Sequence, residues 1–368
     1  MLSIPQDKRR FTLLSSERQQ ASKRVIISYV LDWASIILLA IAGAILYRIT
    51  GSEHVFSLDD TSISYPLKSD TVSIITVGIT CCAVPALLIA AITLLLPPLP
   101  WRLRLWELHA GLLGLALSLA GAFFVTSGLK DVVGKPRPDL LARCQPDLTK
   151  IAKYAVSGLG LHRDSAAVFV STGICTNKDK KVLRDGFAAF PSGHSSFAWA
   201  GLLYLSLWLG GKFAVSVPVR SMMGARGDKE ARESSYERAA ATAAPPLYLL
   251  VLVAGPVGGA LYICATRYMD YMHAGWDILG GSAVGISFGL LGFFWYHAPA
   301  GRGYGGWAWG ARGKSSAFGA GFTPDGFEGR TKRTIRDVGV SEDVELTAMD
   351  RHGQSSVDGQ RVSQVHNL

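Results

Sequence analysis

Residues 106–129 read WELHAGLLGLALSLAGAFFVTSGL, an almost uninterrupted apolar run that ends just before Lys130. An α-helix needs about 20 consecutive, mostly apolar residues to cross the hydrocarbon core of a bilayer. This run is long enough, and after Glu107 no charged residue occurs until Lys130. It therefore predicts a membrane-spanning helix with a lysine at its end.

Five more apolar runs of similar length lie along the chain, at 25–47, 72–96, 195–215, 246–265 and 278–296. The chain is 49% hydrophobic with a mean hydropathy of +0.26, which is high for a soluble globular domain. We therefore expect an all-α integral membrane bundle of six transmembrane helices. The expected division is a basic segment at 1–24, the membrane domain at 25–297, and a disordered, Gly-rich and polar tail at 298–368.

Lysine and arginine are concentrated in alternate connections between these runs. The N-terminal segment and the loops after the second and fourth runs are basic, whereas the loop after the first run is acidic. Because cytoplasmic loops are enriched in basic residues, we expect both termini in the cytosol. Topology then accounts for the net charge of +9, and nucleic acid is not an expected partner. Plasma membrane, vacuole and Golgi all fit this pattern, which does not predict an oligomeric state.

Four cations depart from the charge pattern, because they fall at non-cytosolic helix ends: Lys130, Lys135, Arg137 and Arg267. A lone cation there is most simply explained as an anchor whose charged head reaches the membrane interface. These four, however, lie in or beside two of three polar segments that map to the same side of the membrane. Their position beside other polar residues on the same side of the membrane favours a shared functional site.

The three segments read KDVVGKPRP at 130–138, PSGHSS at 191–196 and RYMDYMHAGWD at 267–277. Ser192 is a suitable helix N-cap, and Gly193 permits close approach to the backbone. The free N–H groups of a helix start suit an anion such as phosphate. His273 and Asp277 are four residues apart, so they would share one face if both lay on a helix.

Together the segments supply cations, two imidazoles, a carboxylate and an anion-binding helix start. Such a set fits phosphoryl transfer, in which negative charge on the phosphoryl oxygens has to be stabilised. The sequence has no cluster of acidic residues and no paired histidines typical of a metal site, so neither a metal nor another cofactor is expected. The expected site therefore lies at the non-cytosolic surface, facing the lumen or exterior.

The pattern resembles the type 2 phosphatidic acid phosphatase (PAP2) superfamily, whose signature is Lys-x6-Arg-Pro, Pro-Ser-Gly-His and Ser-Arg-x5-His-x3-Asp. The chain matches it from Lys130 to Pro138, at 191–194 and at 267–277, with Thr266 where the family often has serine. The stretches FSLDDTSISYP at 56–66 and GKPRPD at 134–139 resemble the fungal diacylglycerol pyrophosphate phosphatases. The likeness extends over roughly residues 25–296.

The resemblance implies a metal-independent lipid phosphate phosphatase that forms a phosphohistidine intermediate. His273 would be the nucleophile, Asp277 would orient its ring, and His194 would be the general acid and base. The phosphate oxygens would be bound by cations and a helix start: Lys130, Arg137, Arg267, Ser192 and Gly193. Phosphatidate, lysophosphatidate, diacylglycerol pyrophosphate and sphingoid phosphates are all compatible substrates.

Other functions use the same residue set. A phosphotransferase or a phosphatase for soluble sugar phosphates would need identical catalytic groups. A transporter or scaffold with a decayed site and a soluble vanadate haloperoxidase are further alternatives, which the intact residue set and the apolar runs disfavour. Separately, Cys144 and Cys175 lie in one polar loop, as a disulfide or as two free thiols.

Overall fold

The computed structural model describes residues 23–95, 101–161, 166–213, 215, 246–297 and 312. The expected segments 1–24 and 298–368 lie almost entirely outside these residues. The helices, in chain order, are α1 (Lys23–Leu46), α2 (Ile74–Leu95), α3 (Trp101–Val133), α4 (Leu140–Cys144), α5 (Ile151–Tyr154), α6 (Lys180–Gly186), α7 (193–212), α8 (Leu247–Met269) and α9 (Gly275–Tyr296). α7 consists of Gly193–Ala198 and Tyr204–Lys212, joined by the π-helical turn Trp199–Leu203.

The chain divides into two compact units, Asp32–Gly310 and Met1–Leu31 together with Ala311–Leu368. In the second unit, the guanidinium of Arg312 lies 4.6 Å from the ring centroid of Tyr29 and donates to the carbonyl of Ser28 at 3.2 Å. The three sequence motifs belong entirely to Asp32–Gly310.

Within the described residues, five helices are long and apolar enough to cross a membrane: α1, α2, α3, α8 and α9. They coincide with five of the six expected spans. The other expected span, 195–215, falls on α7, which is not among the five and whose leucines are interrupted by serine and glycine. A helix enclosed by other helices meets protein in place of lipid, so it needs fewer apolar residues.

Helix α7 is buried between its neighbours. Tyr204 and Trp208 of α7 pack in one apolar cluster with side chains of α2, α3 and α9. The hydroxyl of Ser118 on α3 donates to the carbonyl of Ala200 at 2.8 Å, and the Tyr204 hydroxyl donates to the carbonyl of Gly111 at 2.8 Å. Buried polar groups need such partners where water is absent. Packing and hydrogen bonds therefore fix α7 against α3.

Glycines on one face of α9 allow its backbone to approach α7 closely. A β-carbon at Gly281 would clash with the carbonyl oxygen of Ser192, and one at Gly285 would lie 2.7 Å from Cβ of Trp199. Small residues at such positions are typical of closely packed membrane helices. This contact brings the start of α9 beside the start of α7, where two of the sequence motifs lie.

The segment between α3 and α7, residues 134–192, is called the α3–α7 connection below. It contributes β2 (Ala155–Ser157) and β3 (Phe169–Val170) to a small antiparallel sheet. The third strand, β1 (Phe56–Ser57), comes from the loop after α1, and the strand order is β1-β3-β2. The fold is therefore mostly helical with a small sheet, and not purely α-helical as expected, because this connection is long enough to form its own local structure.

A disulfide between Cys144 and Cys175 cross-links the α3–α7 connection. It resolves the choice that the sequence leaves open for this pair. Beside it, apolar side chains form a separate buried cluster that includes Phe56, Leu140, Val170, Ile174 and Phe187. The connection thus has a core of its own and is not a loose loop.

Candidate active site

A cavity of about 550 Å³ at one end of the bundle collects residues from all three motifs. Its wall contains the C-terminal ends of α3 and α8, the N-terminal end of α7 and the turn that precedes α9. Six of the eight predicted site residues line it: Lys130, Arg137, Gly193, His194, Arg267 and His273. Segments that are far apart in the sequence are thus brought to one cavity.

The ring of His273 is held in one tautomer by a main-chain group. Its Nδ1 lies 2.7 Å from the carbonyl oxygen of Ala189. A carbonyl oxygen can only accept a hydrogen bond, so Nδ1 carries the proton and donates it. The lone pair of the neutral ring is then on Nε2, which is the nitrogen available for attack.

His273 is also held in its neutral form. The side chain is buried, and burial lowers the pKa of the imidazole well below its ordinary value. The nearby positive charges of Arg137 and Lys130 lower the pKa further. A neutral imidazole is the nucleophilic form, so both the tautomer and the charge state suit attack on phosphorus.

Asp277 does not contact the ring of His273, contrary to the expected orienting role. Its Oδ1 accepts from Nζ of Lys135 at 2.7 Å, and its Oδ2 accepts from the backbone N–H of Ala274 at 2.9 Å. The expectation placed His273 and Asp277 on one helical face. Because α9 begins only at Gly275, His273 precedes the helix and the four-residue spacing does not bring the two side chains together.

His194 is the second residue of α7 and lines the cavity. Its Nε2 is buried and has no hydrogen-bond partner within the described ranges. A buried polar atom without a partner is uncommon and often marks a functional position. The imidazole of His194 is therefore free to exchange a proton with a group bound in the cavity.

Ser192 caps α7 and does not line the cavity. Its hydroxyl oxygen lies 3.5 Å from the backbone N–H of Ser195 and accepts from the Ser195 hydroxyl at 3.1 Å. Its own backbone N–H donates to the carbonyl of Asp277 at 2.9 Å, which ties the starts of α7 and α9 together. Ser192 thus supports the helix start, while the adjacent Gly193 faces the cavity.

The end of the Lys130 side chain lies beside the start of α7. Its Nζ donates to the carbonyl oxygen of Ala188 at 2.7 Å, which uses one of the three ammonium donors. A β-carbon added at Gly193 would lie 3.7 Å from Cε of Lys130, so the two residues are close neighbours. The ammonium group and the N–H groups at the start of α7 can therefore act on the same anion.

Arg137 is held by the α3–α7 connection. Its Nη2 donates to Asp185 at 2.7 Å, and the same carboxylate accepts from Nη1 of Arg143 at 2.9 Å. Burial alone would raise the pKa of the Asp185 carboxyl, but the two guanidinium groups outweigh burial and the pKa lies below its ordinary value. The Nε atom of Arg137 is buried and has no partner among the described residues, so it can donate to a bound anion.

Arg267 is held by two carboxylates. Its Nη1 donates to Asp70 at 2.7 Å, and its Nη2 donates to Asp270 at 3.0 Å and to the carbonyl of Val72 at 3.1 Å. Its Nε is buried and unpaired in the part of the chain that the structure describes. The preceding Thr266 directs its hydroxyl to the carbonyl of Ile263 at 2.7 Å and not into the cavity.

Sequence reasoning missed several residues of this cavity. Asp70, Arg143 and Asp185 line it, but they lie outside the three motifs and carry no spacing signal that would have identified them. The carbonyl oxygens of Ala188 and Ala189 were missed because a main-chain contact leaves no trace in residue type. The sequence signals only that Asp70 and Asp185 are acidic residues in the loops on the same side as the cations.

Apolar residues also line the cavity. They come from α2, α3 and α7, with one tyrosine from after α1: Tyr47, Ile74, Val77, Phe123 and Phe197. The lining therefore combines cations and histidines with apolar side chains. Among the described residues, no three His, Cys, Asp or Glu side chains form a group that could hold a metal ion.

A model of the PAP2 superfamily matches residues 111–300, more than half of the chain, and this range includes all three motifs. The chain belongs to the PAP2 superfamily. Its curated relatives include lipid phosphate phosphatase 2 of Arabidopsis thaliana, which is 28% identical over 73% of this chain and 77% of that protein. No solved structure matches the chain.

Two fungal proteins are also similar. Diacylglycerol pyrophosphate phosphatase 1 of Saccharomyces cerevisiae is 31% identical over 66% of this chain and 70% of the yeast protein. The probable diacylglycerol pyrophosphate phosphatase 1 of Schizosaccharomyces pombe is 33% identical over 64% of this chain and 67% of that protein. These similarities agree with the resemblance that the motifs indicate.

Proposed function

We propose that the chain is a lipid phosphate phosphatase, a phosphoric monoester hydrolase of the phosphatidate phosphatase type. The observation that carries the proposal is the mixed lining of the cavity, in which His194 and His273 are accompanied by cations and by apolar side chains. A lipid phosphate likewise combines a charged headgroup with apolar chains. The names of the relatives, lipid phosphate phosphatases and diacylglycerol pyrophosphate phosphatases, support the same substrate class.

The reaction proceeds in two steps at His273. Nε2 attacks phosphorus, the bond from phosphorus to the lipid oxygen breaks, and a phosphohistidine forms. His194 gives its proton to the departing alkoxide and then takes a proton from water as that water attacks the phosphohistidine. Inorganic phosphate leaves, and both histidines return to their starting states. The hydrogen bond from Nδ1 to Ala189 stabilises the positive charge that the ring acquires.

The phosphoryl oxygens are bound by Lys130, Arg137, Arg267 and the N–H groups at the start of α7. Each cation is anchored by an acceptor of the protein and retains at least one donor. These donors are the remaining ammonium hydrogens of Lys130 and the Nε atoms of the two arginines, for which the described residues offer no acceptor. Groups that are fixed in advance stabilise developing charge without having to reorganise. Asp277 and Ser192 contribute indirectly, by tying the starts of α7 and α9 to their surroundings.

The proposed topology has six spans: the five long apolar helices and the more enclosed α7, which is the fourth in chain order. Both termini lie in the cytosol and the cavity faces the lumen or exterior. Arg102 and Arg104, in the first turn of α3, support this orientation by the positive-inside rule. The disulfide between Cys144 and Cys175 supports it as well, because disulfides persist in oxidising compartments.

The apolar wall also separates this proposal from the alternative on the same scaffold. A phosphatase for soluble sugar phosphates would need the cations and the histidines but would gain nothing from Ile74, Val77 and Phe123. A lipid substrate can stay in its leaflet and place only its headgroup among the cations and the two histidines. The proposal therefore concerns lipid phosphates, including phosphatidate, lysophosphatidate and diacylglycerol pyrophosphate.

The test measures inorganic phosphate released from a panel of lipid phosphates and from glucose 6-phosphate, in detergent micelles with EDTA. We expect release from lipids in the wild type and none above background from His273→Ala. His54→Ala, which changes an exposed histidine outside the cavity, is the matched control and should behave as wild type. Release only from glucose 6-phosphate, or equal activity of His273→Ala, would refute the proposal.

A further inference from the structure

Arg137 is gripped at two points by neighbouring residues of the α3–α7 connection. Its backbone N–H donates to the carbonyl of Gly186 at 2.8 Å, and its Nη2 donates to the carboxylate of Asp185 at 2.7 Å. Nη1 makes only a long contact of 3.5 Å with Sδ of Met272, and Nε has no partner among the described residues. Nη2 is thus committed to the carboxylate of Asp185, while Nε keeps a hydrogen that no described residue accepts.

Asp185 is in turn held by a second arginine. Nη1 of Arg143 donates to Oδ2 of Asp185 at 2.9 Å, while Arg137 takes Oδ1. Arg143 is 6% exposed, and its Nε donates to Oδ1 of the fully buried Asp139 at 2.8 Å. Its Nη2 lies 2.8 Å from Oδ2 of the same carboxylate, so an ion pair and a charge-assisted hydrogen bond both hold the guanidinium. Asp139, Arg143 and Asp185 therefore form a continuous relay that ends on Arg137.

The far end of the relay is anchored in the most cross-linked part of the connection. Arg143 lies on α4 next to Cys144, which is bonded to Cys175. The carbonyl of Arg143 accepts from Nδ2 of Asn177 at 2.8 Å, so both sides of the disulfide hold it. The relay thus connects a rigid segment of the loop to a cation of the phosphate site.

We propose that Asp139, Arg143 and Asp185 are positioning residues that hold the guanidinium of Arg137 in the orientation that binds phosphate. The proposal rests on the proposed function and adds three residues that no motif of the site contains. An arginine side chain is flexible, and ordering it only when substrate arrives would weaken binding. A displacement of a catalytic group by about 1 Å can lower the rate by about 100-fold.

Asp185→Asn is the most informative variant, because asparagine keeps the shape of the side chain but loses the charge that orders both arginines. The Arg137 side chain is only 9% exposed, so the replacement leaves a largely buried guanidinium without its carboxylate partner. We expect kcat/KM for phosphatidate to fall about 30- to 100-fold and the inhibition constant of orthovanadate, a phosphate analogue, to rise about tenfold. Arg143→Lys keeps the charge but cannot bridge Asp139 and Asp185, and should give a similar loss.

A double-mutant cycle separates positioning from a general structural role. If Asp185 acts through Arg137, then Asp185→Asn should change vanadate binding less than about twofold in an Arg137→Ala background. Asp147→Asn is the control, since Asp147 lies in the same connection and pairs at 2.7 Å with Lys150 on the surface. It should leave kcat/KM within about twofold of wild type.

The outcomes distinguish the relay from the function on which it rests. Wild-type protein without phosphate release or vanadate inhibition would refute the proposed function, and the relay with it. An active, inhibited wild type with an unaffected Asp185→Asn variant would overturn the relay alone. Tighter vanadate binding by Asp185→Asn would also overturn it, because Asp185 would then compete with the anion. An undiminished effect in the Arg137→Ala background would make Asp185 structural.

Discussion

The helical bundle and the α3–α7 connection contribute to one cavity in different ways. The bundle places charged and titratable side chains at helix ends: Lys130 on α3, His194 on α7 and Arg267 on α8. The connection supplies acceptors for the site residues, namely the carbonyl oxygens of Ala188 and Ala189 and the carboxylate of Asp185. The difference teaches that the bundle determines where the candidate site residues lie, while the connection determines the orientation of several of their side chains.

Among substitutions in the bundle, His194→Ala should have the largest effect on activity. We expect kcat for phosphatidate to fall at least about 1,000-fold, because the alkoxide then leaves without a proton donor. For p-nitrophenyl phosphate, whose leaving group needs no proton, the loss should be clearly smaller. Phosphate release from both substrates measures the difference. Equal losses of kcat on the two substrates would show that His194 is not the general acid.

The ion pair between Lys135 and Asp277 joins the two regions, because Lys135 belongs to the connection and Asp277 to the first turn of α9. Lys135→Met and Asp277→Asn should each lower kcat/KM about 10- to 100-fold through displacement of the His273 turn. The double variant should be no worse than the poorer single variant, since both remove one interaction. Fully additive losses would show that the two residues act separately.

Removing the disulfide tests the connection without touching the bundle. Cys144→Ser with Cys175→Ser should lower the stability of the connection by about 3 to 4 kcal/mol, because the bridge closes a long loop. We expect about a tenfold loss of kcat/KM and faster proteolysis within 134–192, with the bundle still folded. Proteolysis and activity assays on purified protein check both. Cys82→Ser, which changes an exposed free cysteine, serves as the control.

The smallest expected effect on chemistry comes from packing inside the bundle. Gly285→Ala places a methyl group against α7 and should lower stability by about 1 to 3 kcal/mol, seen as a lower Tm in detergent. Gly258→Ala on α8, where a β-carbon meets nothing within 4 Å, is the matched control and should not lower Tm. If both variants melt alike, close contact between α7 and α9 does not stabilise the bundle.

Sequence patterns predicted several side chains that meet in the cavity, because those side chains lie at helix ends. The apolar runs set where helices stop, and the residues at those stops, such as Lys130, His194 and Arg267, line the cavity together. The same reasoning erred for Asp277, since the helix begins after His273 and the spacing rule does not apply across that boundary. A one- or two-residue shift in a helix start is beyond what periodicity resolves.

The partners of the site were not predictable for a different reason. Asp185 lies 48 residues from Arg137, in a connection whose fold depends on a small sheet and a disulfide. The local sequence does not indicate which acidic residue will form an ion pair with which arginine. The acceptor for His273 is a main-chain atom of Ala189, and every residue has a carbonyl group. Only three-dimensional packing selects that one.

The use of the Ala189 carbonyl has a consequence for mutational scanning. No amino-acid substitution can delete a main-chain oxygen, so the hydrogen bond that fixes His273 is protected against point mutation at its acceptor. Ala189 is fully buried, and larger residues would instead disturb the packing around it. In a mutational scan, activity would therefore depend only on the size of the side chain at position 189. The scan would not reveal that the main-chain oxygen of this residue binds His273.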